Sequence, residues 1–396
     1  MANRKQIKVL VIDDSAYNRR AFAEFLEAER DITVVGKACD GDEGLQIAFS
    51  EEPDVITLDL EMPRMDGFTF LRILMAKKPT PVIVISSHAQ KEKVFRALEL
   101  GALDFVAKPS HRISPVIKEI KDEVIKKVRL AKTLGPESLH PFAPYGEIQD
   151  SPYTIETEMP SSPFACEGNE APLTTPRRSS IPVGGKIAEL TRKRPSFAEV
   201  PAAAEGSPRR IVALAASTGG PGALTQILTE IPADIDAGIL VVQHMPPRFT
   251  TTFAERLDKQ CNIAVKEVTG TDIIKKGEAY LAPGHACMEV RASDDGLCVM
   301  AVPPTSEDRY VPSADRLIKS LATVGSNALA VVLTGMGDDG SSGVMELAAA
   351  GGTIVAEDES TAVVFGMPGA AIKTGKVNYV VKLEQMIQVI RNFVLL

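Results

Sequence analysis

The chain of 396 residues is long enough for two or three domains, and its 44% hydrophobic residues suffice for a core in each. A formal net charge of −8 argues against a general nucleic-acid-binding protein, because such proteins neutralise phosphates with excess lysine and arginine. The five cysteines lack the paired spacing of zinc sites or redox motifs, and no apolar run is long enough to span a membrane. These observations predict free thiols and a cytoplasmic, multidomain protein.

The distribution of proline divides the chain into three parts. Residues 133–208 contain 12 of the 27 prolines, with serine, threonine and glutamate between them and few apolar residues at a regular period. Such a segment cannot bury enough apolar surface to offset its chain entropy, which predicts disorder. The predicted organisation is an N-terminal domain over residues 1–130, a flexible linker over 131–208 and a C-terminal domain over 209–396.

The N-terminal domain alternates between strand and helix patterns. Short apolar runs begin near residues 7, 32, 54, 81 and 103, and segments with helical spacing lie between them. This alternation predicts a flavodoxin-like (βα)5 domain, in which helices cover both faces of a parallel sheet.

The C-terminal domain repeats this alternation less regularly. Its apolar runs end at Ala216, Val242, Leu333 and Val355, and each is followed by glycine, proline or a helix pattern. Residues 263–302 differ, because several short strand patterns follow one another there without helices between them. We therefore expect a doubly wound parallel α/β sheet that carries a small antiparallel β insertion.

Polar residues follow four predicted strands of the N-terminal domain. They are Asp13 and Asp14 after the first strand, Asp59 after the third, Ser86 after the fourth and Lys108 after the fifth. Because ligands of open parallel sheets bind beyond the carboxyl ends of the strands, these side chains should share one edge. Clustered carboxylates suit Mg2+, and one of them could accept a phosphoryl group whose charge the lysine neutralises. The alternative is a set of loop acids that only cap helices.

With these residues the N-terminal domain resembles the receiver domain of two-component response regulators. The resemblance is carried by Val-Ile-Asp13-Asp14-Ser15, Leu-Asp59-Leu-Glu-Met-Pro63-Arg-Met-Asp66-Gly67, Ile-Ser86-Ser87 and Phe105-Val-Ala-Lys108-Pro109. It implies that a histidine kinase phosphorylates Asp59. It also implies support of the phosphoryl group by Ser86, Lys108 and Phe105, and a Mg2+ ion held by Asp13, Asp14, Asp59 and the backbone carbonyl of Glu61.

A serine, a histidine and two aspartates follow predicted strands of the C-terminal domain. They are Ser217, His244, Asp338 and Asp339. At one sheet edge they could converge as the nucleophile, the general base and the orienting acid of an acyl transfer. Glycines directly after the serine expose backbone amides near a helix N-terminus, where an oxyanion could be held.

Each of these residues also has a structural interpretation. Ser217 could cap a helix, and His244 could be a buried histidine with satisfied hydrogen bonds. The run Gly335-Met-Gly337-Asp-Asp-Gly340 imitates a dinucleotide-binding loop, although two carboxylates in that loop would repel a pyrophosphate.

The C-terminal domain is similar to the catalytic domain of chemotaxis-type protein-glutamate methylesterases, which are also protein-glutamine glutaminases. The similarity is carried by Ala-Ser217-Thr218-Gly219-Gly220-Pro221, Val-Gln243-His244-Met245-Pro246-Pro247, Tyr-Leu-Ala282-Pro283-Gly284, Leu-Thr334-Gly335-Met336-Gly337-Asp338-Asp339-Gly340 and Val-Val-Phe365-Gly366-Met367-Pro368. It implies a catalytic triad of Ser217, His244 and Asp339, an oxyanion hole at Met336, Thr218 and Gly219, and no cofactor in this domain.

Together the two resemblances imply a phosphorylation-activated hydrolase that removes methyl groups from glutamate γ-methyl esters as methanol and also deamidates glutamines. The unphosphorylated receiver is expected to inhibit it. The implied partners are methylated chemoreceptors and a histidine kinase, without nucleic acid and without direct membrane insertion. Two other classes of function fit less well. A binding protein would not need an intact triad, and a DNA-binding output would need a basic helix-turn-helix pattern.

Overall fold

The computed structural model describes residues 6–87, 91–108, 115–134 and 207–395. The predicted linker lies almost entirely outside the described residues, and so does Cys166. The other four cysteines, at positions 39, 261, 287 and 298, are free thiols, as predicted. Within the described ranges, no helix combines the length and the apolar character that crossing a bilayer requires.

The N-terminal domain is a parallel sheet between two layers of helices, as predicted. Its described strands are β1 (Ile7–Ile12), β2 (Ile32–Ala38), β3 (Val55–Leu58), β4 (Val82–Ser87) and β5 (Asp104–Lys108). Its described helices are α1 (Ala16–Glu27), α2 (Gly41–Glu51), α3 (Gly67–Lys77), α4 (Lys91–Glu99) and α5 (Pro115–Ala131). The strand order is β2-β1-β3-β4-β5, and all four residues of β3 are buried because helices cover both faces of the sheet.

The C-terminal domain contains ten further strands among the described residues. They are β6 (Arg210–Ala216), β7 (Ala237–Gln243), β8 (Ala264–Glu267), β9 (Thr271–Ile273), β10 (Glu278–Leu281), β11 (Cys287–Ser293), β12 (Gly296–Val302), β13 (Ala328–Val332), β14 (Thr353–Glu357) and β15 (Tyr379–Val381). The helices are α6 (Gly220–Thr229), α7 (Phe249–Gln260), α8 (Ala314–Ser320), α9 (Ser341–Ala349), α10 (Met367–Lys373) and α11 (Leu383–Leu395).

These strands form a parallel sheet in the order β15-β14-β13-β6-β7-β10-β8 and a small antiparallel sheet in the order β11-β12-β9. The predicted antiparallel insertion is confirmed, but β8 and β10 of the same segment belong to the parallel sheet. Ala279 of β10 pairs in parallel with Ile239 on one side and Val265 on the other. A run of four residues is too short to reveal its partner strand, which is set by the crossover that precedes it.

The two domains contact each other through apolar side chains. The rings of Phe95 on α4 and Phe253 on α7 stack with centroids 5.3 Å apart. Phe105 on β5 packs against Phe249, at the start of α7, with centroids 4.7 Å apart. All four side chains are buried, so the hydrophobic core continues from one domain into the other.

Candidate functional site

The acidic residues of the N-terminal domain meet at one edge of its sheet. Carboxylate oxygens of Asp13, Asp14 and Asp59 lie within 4.8 Å of one another. The Lys108 ammonium, at the end of β5, lies 2.9 Å from Asp13 Oδ2 and 2.8 Å from Asp59 Oδ2. These oxygen donors suit a hard divalent cation such as Mg2+.

Helix capping does not explain these aspartates. The side chains that cap α1, α2 and α3 are those of Ser15, Asp40 and Asp66, and each accepts a backbone N–H of the first helical turn. Asp59 instead accepts the N–H of Leu60 with one oxygen and contacts Lys108 with the other. The arrangement therefore favours a binding site over the helix-cap interpretation.

Burial and charge set the proton affinities at this edge. Burial raises the pKa of Asp59 above its ordinary value, while Lys108 opposes part of this shift and Asp13 adds to it. For Lys108, burial acts to lower the pKa, but the carboxylates of Asp59 and Asp13 outweigh that effect and raise it. A cation that binds here must therefore compete with the Lys108 ammonium for the carboxylates of Asp13 and Asp59.

Three other residues predicted for this site lie around it. Ser86 is fully buried at the end of β4. Phe105 is also buried, but its ring contacts Phe249 of the other domain. The side chain of Glu61 forms an ion pair with Lys93 on α4, and the cation ligand expected from the sequence is its backbone carbonyl.

The serine, the histidine and one aspartate of the C-terminal domain meet in one cleft. His244 Nε2 lies 2.7 Å from Asp339 Oδ2, and Ser217 lines the cleft beside His244. In the described part of the chain no hydrogen bond joins the Ser217 hydroxyl to the imidazole. Catalytic hydrogen bonds are often loose without substrate and tighten when substrate binds.

The surroundings of Asp339 determine which imidazole nitrogen can act as a base. Burial acts to raise the pKa of Asp339, but hydrogen bonds from His244 and from the N–H groups of Ala314 and Asp315 outweigh it, so the pKa is lowered. These amides begin α8, where the helix dipole also favours negative charge. An ionised carboxylate only accepts hydrogen bonds, so His244 Nε2 carries the proton and Nδ1 has the free lone pair.

Asp338 differs from its neighbour Asp339 because it lies at the rim of the cleft. Its side chain is 49% exposed, and it accepts hydrogen bonds from Arg309 at 3.1 Å and from the Tyr310 hydroxyl at 3.2 Å. The Tyr310 ring in turn stacks on His244, with centroids 5.0 Å apart and planes 3° apart. Both carboxylates of this loop thus have protein partners, and their negative charge disfavours a dinucleotide pyrophosphate here.

The loops around Ser217 approach each other closely. Gly219 has a φ of +79°, the left-handed region that favours glycine, and α6 begins directly after it. A side chain at Gly335 would place its Cβ 2.8 Å from Ser217 Cβ. Thr218 is buried, and Met336 lines the cleft. The loops that follow β6 and β13 therefore lie against each other beside Ser217.

The N-terminal domain closes one side of this cleft. The cleft has a volume of about 370 Å³, and its lining includes Asp104, Phe105, Lys126, Ser217, His244 and Met336. The Thr218 hydroxyl donates a hydrogen bond of 2.6 Å to Asp104 Oδ2. Asp104 Oδ1 lies 2.9 Å from the Lys127 ammonium of α5. A side chain of the N-terminal domain therefore contacts the residue next to the predicted nucleophile.

Comparison with known proteins agrees with both halves of this description. Residues 212–390 match the CheB methylesterase family, and residues 9–119 match the response regulator receiver domain. The chain is 41% identical over 384 residues to protein-glutamate methylesterase/protein-glutamine glutaminase 1 of Myxococcus xanthus, covering 97% of this chain and 96% of the relative. It is 43% identical over 383 residues to protein-glutamate methylesterase/protein-glutamine glutaminase 3 of Geobacter sulfurreducens, covering 96% of each. The chain belongs to the CheB methylesterase family.

Solved structures of CheB domains are also similar to this chain. The catalytic domain of Thermotoga maritima CheB methylesterase matches with 36% sequence identity and a TM-score of 0.45, covering 47% of this chain and 98% of that chain. Membership of the CheB family confirms the predicted resemblance and the prediction of an enzyme that combines a receiver with a methylesterase domain.

The sequence patterns assigned no role to three buried polar residues, Gln243, Thr334 and Glu357, that hold the loops of this cleft. Gln243 Nε2 donates to the backbone carbonyl of Ser217 at 2.8 Å. The carbonyl of Thr334 accepts the N–H of Ser217 at 3.0 Å, and Glu357 accepts the N–H of Thr334 at 2.7 Å. Gln243 and Glu357 could have been noticed in the sequence, because each is a single polar residue at the end of an apolar strand.

Glu357 makes the stability of the CheB chain depend on pH. Burial raises its pKa from 4.5 to about 7, so the unfolded chain releases this proton at a lower pH than the folded chain. Its contribution to stability is therefore greatest below pH 4.5 and is lost as the pH rises through 7. Relative to Glu357→Gln, we expect the wild-type chain to lose about 2 to 3 kcal/mol of unfolding free energy between pH 5 and pH 8.

Calorimetric melting of the full chain at both pH values checks this expectation. The wild-type melting temperature should fall by roughly 5 to 10 °C relative to the variant. An equal pH response of the two proteins would show that Glu357 has an ordinary pKa.

Proposed function

We propose that the protein hydrolyses γ-methyl esters of glutamate residues in chemoreceptors, releasing methanol, and deamidates particular glutamines there, with phosphorylation of Asp59 as the activating signal. The observation that carries this proposal is the hydrogen bond of 2.7 Å between His244 and the buried Asp339, in the cleft that Ser217 lines. The family supports the choice of substrate, since its relatives are named for both reactions.

In the first step, Ser217 Oγ attacks the γ-carbonyl carbon while His244 Nδ1 takes the hydroxyl proton. The C–O bond to the methoxy group then breaks, and the imidazolium gives its proton to the departing methoxide, which leaves as methanol. Asp339 stays ionised and stabilises the imidazolium through Nε2–H. For a glutamine substrate the C–N bond breaks instead, and ammonia leaves.

In the second step, water hydrolyses the acyl-enzyme. His244 Nδ1 takes a proton from the water, whose oxygen attacks the acyl carbon, and the Ser217–acyl bond breaks. The proton returns to Ser217 Oγ, and glutamate is released. Both steps form a tetrahedral oxyanion, which we assign to the Met336 amide together with Thr218 and Gly219.

We further propose that Asp13, Asp14, Asp59 and the Glu61 carbonyl hold Mg2+ in the receiver, with Lys108 and Ser86 contacting the phosphoryl group on Asp59. Mg2+ would neutralise charge during transfer of that group from a histidine kinase. The close approach of the three carboxylates supports this assignment. Action on the intracellular part of chemoreceptors would place the protein in the cytoplasm, without nucleic-acid partners, and the esterase chemistry requires no cofactor.

Replacing Asp13 by asparagine should weaken Mg2+ binding at least about tenfold, because it removes one anionic ligand and leaves Lys108 bound to Asp59. Isothermal titration of the full chain with MgCl2 measures the change. Asp42→Asn is the matched control, because Asp42 is an exposed acid of the same domain on α2. Equal affinities of the two variants would contradict the proposed site.

We propose that the unphosphorylated receiver inhibits the enzyme by covering the cleft. Thr218, a proposed oxyanion residue, donates its hydroxyl to Asp104 of the receiver. At the edge of the interface, Arg256 of α7 pairs with Glu99 and with Glu92 of α4. The receiver would thus both restrict access and engage a hydroxyl beside the nucleophile.

Strand β5 offers a direct link between the two sites. It carries Asp104 at one end and Lys108 at the other, four residues or roughly 13 Å apart. A phosphoryl group on Asp59 adds negative charge and acceptor oxygens, which attract the Lys108 ammonium away from its present partners. A shift of β5 would then weaken the Asp104–Thr218 contact and favour an open population.

Replacing Asp104 by alanine should therefore raise activity without phosphodonor by about tenfold, as expected for loss of a charged hydrogen bond worth about 1.5 kcal/mol. Methanol release from a methylated chemoreceptor, without acetyl phosphate, measures the change. Asp122→Ala, at an exposed position of α5, is the control. If the basal rate of Asp104→Ala matches that of the control, Asp104 does not contribute to inhibition.

The proposed function as a whole is tested by methanol release from a methylated chemoreceptor, with and without acetyl phosphate and Mg2+. We expect release by the wild-type chain and a higher rate with the phosphodonor. A chain that binds the receptor but releases no methanol would instead be a phosphorylation-controlled binding protein.

A further inference from the structure

Glu357 is a buried carboxyl group that the proposed mechanism does not use. It ends β14, and its relative exposure is 0%. Its Oε2 accepts the N–H of Thr334 at 2.7 Å, and its Oε1 accepts the Thr361 hydroxyl at 3.1 Å. The other charged groups near it are Asp358, next in the chain, and Glu384 on α11, both acidic. Lys382 lies near Asp358.

The partner of Glu357, Thr334, connects three loops of the cleft. Its carbonyl accepts the N–H of Ser217 at 3.0 Å. Its hydroxyl donates to the carbonyl of Thr218 at 2.9 Å and accepts the N–H of Val364 at 2.9 Å. Every polar group of Thr334 is therefore engaged, and its N–H depends on Glu357.

The loop that contains Val364 continues this network towards the proposed oxyanion hole. Gly335 donates its N–H to the carbonyl of Val364 at 3.0 Å and accepts the N–H of Met367 at 2.8 Å. Gly335 directly precedes Met336, and its backbone approaches Ser217 too closely for a side chain. The loops bearing the nucleophile and the oxyanion amide are thus held at one point, behind the cleft.

We infer that Glu357 is a positioning residue for acyl transfer, which acts through Thr334 to align Ser217 with the Met336 amide. This inference rests on the proposed function only for the identity of the substrate. Its subject is the reactivity of Ser217, which can be measured without that substrate. Without an acceptor at position 357, the N–H of Thr334 would be buried and unpaired, and the loop would move to find another partner.

Glutamine can replace this acceptor, whereas alanine cannot. In Glu357→Gln, the amide oxygen would accept the N–H of Thr334, and the amide nitrogen would donate to the Thr361 oxygen. The Thr361 hydroxyl then has the carbonyl of Asp358, 3.4 Å away, as its acceptor. A role in positioning therefore predicts rescue by glutamine, which distinguishes it from a role that needs the negative charge.

The experiment measures labelling of Ser217 in the full chain by a small fluorophosphonate, with acetyl phosphate and Mg2+ present. In this reaction Ser217 Oγ attacks phosphorus, fluoride leaves, and the hydroxyl proton passes to His244. Intact-mass spectrometry follows the rate for wild type, Glu357→Ala, Glu357→Gln and Val355→Ala. Val355→Ala is the matched control, because it truncates a buried side chain on the same strand that pairs with Val331, three residues before Thr334.

We expect Glu357→Ala to label about 100-fold more slowly than wild type, because Ser217 is misplaced. Glu357→Gln should label within about threefold of the wild-type rate, because glutamine restores the position of Ser217. Val355→Ala should melt at a lower temperature but label at the wild-type rate. In methyl ester hydrolysis, Glu357→Ala should lower kcat and leave KM nearly unchanged.

Glu357→Ala labelling as fast as wild type would overturn the inference, and so would slow labelling by both Glu357→Gln and Val355→Ala. If wild type labels at Ser217 and Glu357→Ala does not, but no receptor releases methanol, then the positioning role stands and the proposed substrate is wrong. A wild-type chain that does not label at Ser217 would overturn both.

Discussion

Replacement of Ser217 by alanine is expected to lower methanol release from methylated chemoreceptor by a factor on the order of 10⁴ to 10⁶. The variant lacks the Oγ atom that forms the acyl-enzyme in the proposed mechanism. His244 can then act as a general base only on water. Gas chromatography of methanol, with acetyl phosphate and Mg2+ present, gives the rate. Receptor binding should survive, because the cleft loses a single hydroxyl.

Ser342→Ala is the control for Ser217→Ala, since Ser342 is an exposed serine of the same domain on α9. It should release methanol at the wild-type rate. Comparable release by Ser217→Ala would mean that another residue is the nucleophile. If neither the wild type nor the variant releases methanol from a receptor of the same cell, the binding-protein alternative would be favoured.

Replacement of Asp339 by asparagine is expected to lower kcat by about 10³- to 10⁴-fold. Both carboxylate oxygens accept backbone N–H groups, Oδ2 from Ala314 and Oδ1 from Asp315, and Oδ2 also accepts His244 Nε2–H. An amide NH2 group at either position would face a donor. The side chain would therefore turn away or leave His244 in the wrong tautomer, and it could not stabilise the imidazolium.

The adjacent Asp338→Asn is the matched control for Asp339→Asn. The side chain of Asp338 is half exposed and accepts hydrogen bonds from the rim residues Arg309 and Tyr310, and asparagine can still accept one of these hydrogen bonds. We expect a change of no more than about threefold in kcat, as for a surface ion pair. If the two variants lose activity equally, the assignment of Asp339 as the triad acid is wrong.

Local patterns in the sequence predicted the fold and both strand-edge sites. Buried parallel strands are near-continuous apolar runs, so their ends are visible in the sequence, and the residues that follow them share one edge. Asp13 and Asp59 were placed together in this way, and so were Ser217 and His244. Only their approximate neighbourhood could be predicted, because the alternation of elements does not specify side-chain distances.

The partners of short strands and the roles of isolated polar residues could not be predicted from these local patterns. The pairing of β8 and β10 with the parallel sheet depends on crossovers that a four-residue run does not reveal. Thr334 stands in a quoted motif, but its role comes from hydrogen bonds to Ser217, Thr218 and Val364, which are distant in sequence. Only the folded loops bring these groups together.

The sequence by itself determined that this chain has a receiver domain and a methylesterase domain, and which residues could carry each chemistry. The tertiary structure alone decided that Nε2 of His244 faces the Asp339 carboxylate, at 2.7 Å, and that Asp104 contacts Thr218. The physical reason is the distance along the sequence between the residues that determine each feature. Strand and helix patterns arise from neighbouring residues, whereas hydrogen bonds of under 3 Å between distant segments depend on how whole elements pack.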